Sequence, residues 1–250
     1  MNAALVVVAA VAGAAAGAGT GWVNVALERI ERLKEEEDEE RTEYEREVQA
    51  QRDAAIAAGS APPQAAPWIG ESYGWTWREQ VLAPLAAAFG FAVFTAHGPV
   101  QWGLLIHLVW LVVFVQIVTF DLKHRLILNR VTYPSIVVAL GIAQFSPGLS
   151  LLHALFGAAA VAVFFLLQNI VSRGSVGLGD AKLGALIGAV TGLSTDAAHL
   201  GAAYAVVYGV LVGGAVAVLL LITRVRHLKD PIPYGPFLCA GAAIILYQGP

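Results

Sequence analysis

Apolar residues along this 250-residue chain fall in long blocks rather than in alternation. Eight blocks stand out, at about 3–26, 80–97, 103–120, 131–147, 150–171, 181–195, 199–223 and 235–249. A helix needs roughly 20 apolar residues, with a range of about 17–25, to cross a bilayer. Each block is therefore a candidate transmembrane helix, and the sixth is short. The fourth opens near Tyr133 and Pro134, and proline is tolerated in a first turn. The pattern predicts an all-α polytopic membrane protein with about eight spans.

One polar block interrupts the series. Residues 27–58, "LERIERLKEEEDEERTEYEREVQAQRDAAIAA", predict a cytoplasmic acidic helix of roughly 48 Å at the usual rise per residue. Glu28 with Arg32, and Glu37 with Arg41, have the favourable i,i+4 order. Leu27, Ile30, Leu33, Tyr44 and Val48 form a broken stripe, too weak for a coiled coil. The plain reading is a solvated extension of the first span; a partner-docking or self-pairing helix is the other. "GSAPPQAAP" (59–67) reads as a flexible linker. "WIGESYGWTW" (68–77) carries aromatics suited to a membrane interface. The chain thus divides into a first span (1–26), an acidic helix with its linker (27–79) and a seven-helix membrane core (80–250).

Composition agrees. The chain is 58% hydrophobic and 13% charged, against about 45–50% and about 25% in soluble domains. The net charge of −3 hides a split: residues 27–58 hold 12 acidic and 6 basic residues, and the rest is mildly basic. The acidity belongs to one segment, so nothing points to nucleic acid; the basic remainder suits anionic lipid. Cys239 is the one cysteine, which excludes a disulfide framework and a tetracysteine zinc site. Residues 3–26 read as a retained span, although an uncleaved signal anchor has the same pattern.

The basic residues set the expected orientation. All 15 lie in the odd-numbered connections, from Arg29 to Arg78, at Lys123, Arg125 and Arg130, at Arg173 and Lys182, and at Arg224, Arg226 and Lys229. The even connections and both termini carry none. The positive-inside rule then puts the odd connections in the cytoplasm and both termini outside it. Rows of glycine four apart (13, 17, 21; 184, 188, 192; 209, 213) predict close helix–helix approach, with a homodimer contact as the alternative.

Beyond residue 79 four acidic residues remain: Asp121, Asp180, Asp196 and Asp230. Asp196 reads as a cap in an outer turn, and Asp230, before Pro231, as a loop turn. Asp121 ends the third span and Asp180 opens the sixth, in "VGLGDAKLGALIG". Both are expected at the cytoplasmic face near membrane depth, where an ionisable residue is costly and marks a functional site by default. Two carboxylates in one low-dielectric site do not ionise together easily, so one keeps a proton. That division suits peptide hydrolysis: the ionised Asp activates water and the protonated one polarises the carbonyl. Gly177 and Gly179 leave room for a substrate strand. The alternatives are separate structural roles, with Asp121 paired to Lys123 or Arg125 and Asp180 capping its helix, or a proton relay in a transporter. Asn24, His107, Gln116, Gln168 and Asn169 read as polar residues bonding between helices.

Four motifs in order also carry a resemblance. "GLGDAKL" resembles the GxGD motif of the type IV prepilin peptidases, polytopic aspartic proteases of the bacterial inner membrane. "FDLKHRLILNRVTYP" resembles that family's first aspartate loop. "PIPYGPFLCAGA" (231–242) resembles its entry to the last span, and "GAGTGWVNVALERI" (17–30) its N-terminal segment. The resemblance implies that Asp121 and Asp180 are the catalytic pair, with Gly177, Gly179, Lys182 and Asn129 in support. It implies prepilin or pseudopilin substrates, cut on the cytoplasmic side after a Gly between a basic leader and an apolar helix. Partners in pilus assembly or secretion are implied as well. Many members carry paired CxxC motifs that bind zinc, in a domain linked to N-methylation from S-adenosylmethionine. Here the acidic helix stands in that place, so no zinc is expected and methyl transfer is an open question. Leu128 stands where members often have proline before the Asn, which is expected to soften the turn. Besides the peptidase, two readings stay open: a transporter using the Asp pair as a relay, and an idle scaffold whose acidic helix recruits partners.

Overall fold

The computed structural model describes residues 3–61, 65, 73–97, 101–146, 148–173, 177–194, 200–223 and 233–248. Nine α-helices occur among them: α1 (Ala3–Ile30), α2 (Leu33–Ala57), α3 (Ala83–His97), α4 (Trp102–His124), α5 (Asn129–Ile142), α6 (Leu151–Val171), α7 (Leu178–Thr191), α8 (Gly201–Ile222) and α9 (Gly235–Gln248). A π-helical turn, Arg78–Leu82, leads into α3, and a 3₁₀ turn, Ala143–Phe145, follows α5. No strand occurs among the described residues. Asp196, Asp230, Arg224, Arg226, Lys229 and most of 62–72 lie outside the described residues.

All eight apolar blocks are helices, but they are unequal. Among the described residues, five units are long and apolar enough to cross a bilayer: Ala3–Ile30, Arg78–His97, Trp102–His124, Leu151–Val171 and Gly201–Leu220. The other three, α5, α7 and α9, have 14 residues each, roughly 21 Å of helix. Enclosure accounts for the shortness of α7. It packs against α5, α6, α8 and α9, and Leu186 to Val190 are buried one after another. A helix surrounded by protein need not match the lipid. The outer helices α1, α6 and α8 instead turn Val7, Val8, Phe156, Leu167, Leu211 and Leu219 outward, a surface that only lipid solvates well.

In lipid, apolar burial gives no net drive for helices to associate, so close packing must supply it. The glycine rows do this. α1 lies on α3, α6 on α7, and α8 on α9. Gly157 and Gly188 bring the backbones of α6 and α7 into direct contact, and a Cβ on either would strike the other's carbonyl. The rows serve packing within one chain.

Two local expectations are corrected. The acidic helix is not a straight continuation of the first span. α1 ends at Ile30, and Arg32 takes a left-handed conformation with φ 55° before α2 begins. Glu28 therefore makes no pair with Arg32, which instead lies 3.8 Å from Glu35, and Arg41 pairs with Glu45 at 2.9 Å. α2 has no buried residue. Second, α5 starts at Asn129, so Pro134 falls inside the helix rather than in its first turn. It leaves the Arg130 carbonyl without its usual amide partner.

The Gly157–Gly188 contact makes a prediction. Gly188→Ala should lower stability by about 3 kcal/mol through overpacking, read as a fall in melting temperature in detergent. Gly214→Ala on α8, where an added Cβ meets nothing within 4 Å, is the control and should melt no lower than wild type. Equal melting of the two variants would mean that the α6 and α7 backbones do not touch.

Candidate active site

α4 is apolar almost throughout, and only its last turn turns polar, with Asp121, Lys123 and His124. The helix stops there because Arg125 is left-handed, φ 52°, and its amide returns to the Asp121 carbonyl at 2.8 Å. α7 begins at the same end of the bundle. Gly177 is its N-cap and Asp180 its third residue, a position from which a carboxylate reaches back to the N-cap amide. The Gly177 amide is turned toward the Asp180 carboxylate in that way. Asp180 is thus a helix cap as well as a cavity-lining acid, and the two readings are compatible.

The two carboxylates line one cavity of about 620 Å³, with Arg125, Ile127, Phe165, Gln168, Gly177, Gly179, Lys182 and Tyr234 among its other walls. Asp121 is 4% exposed and lies within electrostatic reach of Asp180. Its Oδ2 atom is buried and accepts no hydrogen bond among the described residues. The neighbouring backbone belongs to Gly235, the first residue of α9, where an added Cβ would stand 2.5 Å from Oδ2. Glycine is required there by the carboxylate itself. Tyr234, just before it, also feels the site: burial, then the Asp180 charge, push its phenol above the ordinary value.

The supporting residues behave differently from one another. Lys182 does not pair with Asp180. Its ammonium donates to Asn129 Oδ1 at 2.7 Å and lies over the Tyr133 ring, 5.8 Å from its centre. Lys182 and Asn129 are therefore one link between α7 and the start of α5. Gly177 has φ −69° and only ordinary contacts around an added Cβ, so nothing in its geometry demands glycine. At Gly179 a Cβ would come 3.3 Å from Ile127, a tight fit. Leu128 has φ −72° and ψ 129°, the conformation proline would impose. The turn is not softened, and the Leu128 side chain packs with Leu27 and Phe120. Among the interior polar residues, Gln116 donates to Asn24 at 2.9 Å, Gln168 lines the cavity, and His107 meets the Phe94 ring edge-on.

Sequence reasoning missed a buried ion cluster behind Asp121. Lys123, Glu28 and Glu79 have side chains 0%, 5% and 0% exposed. The Lys123 ammonium pairs with Glu28, lies 3.2 Å from Glu79 and donates to the Gly74 carbonyl at 2.7 Å. Glu28 accepts from the Gly74 amide at 2.8 Å and lies 2.9 Å from His124 Nε2. Glu79 accepts from the Thr76 amide at 2.9 Å. Lys123 is thus no mere topology marker, and Glu28 is no solvated helix charge. A signal was present. Gly13, Gly17, Gly21, Asn24 and Glu28 recur every three to four residues, one packed face of α1. Pooling residues 27–79 as a polar block hid it.

Comparison with known proteins adds to this geometry. Residues 105–222, which include both aspartates, match the type IV leader peptidase family. Similar proteins bear the name prepilin leader peptidase/N-methyltransferase. The one from Bacillus subtilis is 28% identical over 69% of this chain and 68% of its own length. That from Pseudomonas aeruginosa is 28% identical over 67% and 58%, and that from Xanthomonas campestris 28% over 52% and 45%. The chain thus spans roughly half to two thirds of the length of these relatives. No solved structure matches it. The matched segment contains the cavity's Asp121, Asp180 and Lys182, and Asn129 bonded to Lys182, but not Glu28, Glu79 or Gly235.

The Asn129–Lys182 link can be measured. In a double-mutant cycle, Asn129→Ala and Lys182→Met should show a coupling of about 0.5–1 kcal/mol in thermal stability, as for a partly exposed charged hydrogen bond. Strict additivity would mean that the two side chains act apart.

Proposed function

We propose that the protein is a membrane aspartic endopeptidase that removes the leader from type IV prepilins or pseudopilins at the cytoplasmic face of the bacterial inner membrane. The observation that carries this reading is the Asp121/Asp180 pair on one cavity, inside a segment of the leader peptidase family. The relatives' printed names supply the substrate class.

The chemistry follows from the two settings. Two carboxylates on one enclosed cavity hold a single proton between them more readily than two charges. The ionised member draws a proton from a water, whose oxygen attacks the scissile carbonyl. The protonated member donates to the carbonyl oxygen, and the proton then passes to the leaving amide nitrogen as the C–N bond breaks. Asp121, enclosed and with a free oxygen, and Asp180, capping α7, share these roles. A separate apolar cavity of about 430 Å³ lies along α3, α4 and α9, walled by Thr119, Leu122, Phe114 and Cys239. Its apolar lining suits the apolar helix of such a substrate.

Orientation supports the same face. The described parts of the first, third and fifth connections gather at one end of the bundle, where Arg130 pairs with Glu31 at 2.6 Å and Lys182 meets Asn129. We place that basic end in the cytoplasm and both termini outside it. Methyl transfer from S-adenosylmethionine stands in the relatives' names, yet one cysteine cannot build a tetracysteine zinc site. The methyl step is therefore the part of the relatives' activity for which the chain offers least.

The purified protein in detergent, given a prepilin from the same genome, should yield a mature N-terminus by mass spectrometry. Asp121→Asn and Asp180→Asn should each reduce cleavage by about 1,000-fold or more, the scale of a lost acid–base group. Normal cleavage by either variant would return the pair to a relay or scaffold. Adding S-adenosylmethionine reads methylation in the same spectrum. Gly235→Ala should cut cleavage by about 10- to 100-fold, because the Cβ displaces the Asp121 carboxylate while the fold stays intact. Wild-type rates in that variant would show that Oδ2 has room to move at no cost.

A further inference from the structure

The cytoplasmic end of α4 carries two unlike charges two residues apart. At 3.6 residues per turn, Asp121 and Lys123 point roughly 200° away from each other. Asp121 faces the cavity between α7 and α9. Lys123 faces the other way, into α1 and the segment before α3. Everything that meets its ammonium comes from outside the family segment: Glu28 at the end of α1, the Gly74 carbonyl, and Glu79 in the π turn. His124 repeats the pattern next door. It reaches Glu28, and its ring lies against Tyr73 and Phe120, with centroids 5.4 and 4.8 Å away. Tyr73 in turn donates its hydroxyl to the Leu33 carbonyl at 3.0 Å. Glu28 at the end of α1, and Tyr73, Gly74 and Glu79 before α3, are thus all fastened to the one turn of α4 that bears Asp121.

A fully enclosed ammonium between two carboxylates is poor economy for stability alone, since well-packed apolar side chains often do as well or better. What such a cluster gives is a unique geometry, because each partner must be in place or a charge is left unpaired. The geometry fixed in this way includes the turn of α4 that bears Asp121.

We propose that Lys123 is a positioning residue: through Glu28 and Glu79 it fixes the last turn of α4, and with it the place of the Asp121 carboxylate in the cavity. The inference rests on the reading of Asp121 as a catalytic acid. Lys123 touches neither substrate nor reacting atoms. It acts through the helix turn it shares with Asp121, and the acidic arm is tied to the catalytic rate by the same fastening.

Four proteins test this in the cleavage assay: Lys123→Met, Lys123→Arg, the neutral triple Glu28→Gln/Lys123→Met/Glu79→Gln, and Asp121→Asn. Lys123→Met leaves two buried carboxylates without their cation, so it should melt low and cut slowly. The triple removes every charge of the trio and should regain the wild-type melting temperature. If Lys123 positions Asp121, kcat of the refolded-to-wild-type-stability triple stays down by about 100-fold, the effect of a misplacement of about 1 Å, with KM within about twofold. Lys123→Arg, which keeps the charge, should recover part of kcat. A triple that regains kcat together with stability overturns the proposal and leaves the cluster a folding device. A change confined to KM overturns it too and makes the cluster part of substrate binding. Should Asp121→Asn cleave normally, the catalytic reading itself falls, and this inference falls with it; loss of cleavage in Asp121→Asn beside an active triple rejects the positioning role alone.

Discussion

The structure depends on keeping a carboxylate inside a bundle whose outer face is made for lipid. An acid at such depth is costly unless protein surrounds it and its position is enforced. Here the enforcement comes from packing rather than from a counter-ion. Asp121 sits in the last turn of α4 against the backbone of Gly235. One of its oxygens stays without a hydrogen bond among the described residues. A cation placed against that oxygen would fix the charge and abolish the exchange of a proton with Asp180. The two lysines near the aspartates in sequence are occupied elsewhere, Lys123 with Glu28 and Glu79, and Lys182 with Asn129.

The architecture serves that separation. α4 packs on α1 and α3 on one side and on α9, which in turn meets α7, on the other. Charges that must be neutralised gather on the first side, and carboxylates that must stay reactive gather on the second. One helix turn divides them. The glycine contacts between α6 and α7 and between α8 and α9 let the second layer close up without polar glue, which leaves the polar groups of that layer for the cavity.

Much of this was legible in the chain. Eight apolar blocks gave eight helices, because hydrophobic length is a strong signal in membrane proteins. Asp121 and Asp180 were visible as the two acids left at apolar borders, and the structure brings them to one cavity. The buried roles of Glu28 and Lys123 were hidden, because a charge beside a polar segment looks solvated until a partner 50 to 100 residues away is known. The break at Arg32 was hidden as well, since a left-handed arginine leaves no mark on a run rich in good helix formers. Pro134 misled for a similar reason. Asn129, Arg130 and Val131 begin α5 one turn earlier than hydropathy alone suggests.

The three 14-residue helices, α5, α7 and α9, have a further consequence. A helix of roughly 21 Å leaves about 9 Å of a typical hydrocarbon core of about 30 Å uncovered. All three open at the aspartate end, with Asn129, Leu178 and Gly235. A bilayer adapting to that mismatch thins or admits water locally. Where a short helix meets lipid, as α5 does with Val137 and Val138, such thinning brings headgroups and water nearer to the aspartate end. Hydrolysis needs water at a place where a peptide leaves the lipid, and the shortness of these helices supplies a point where the two can meet.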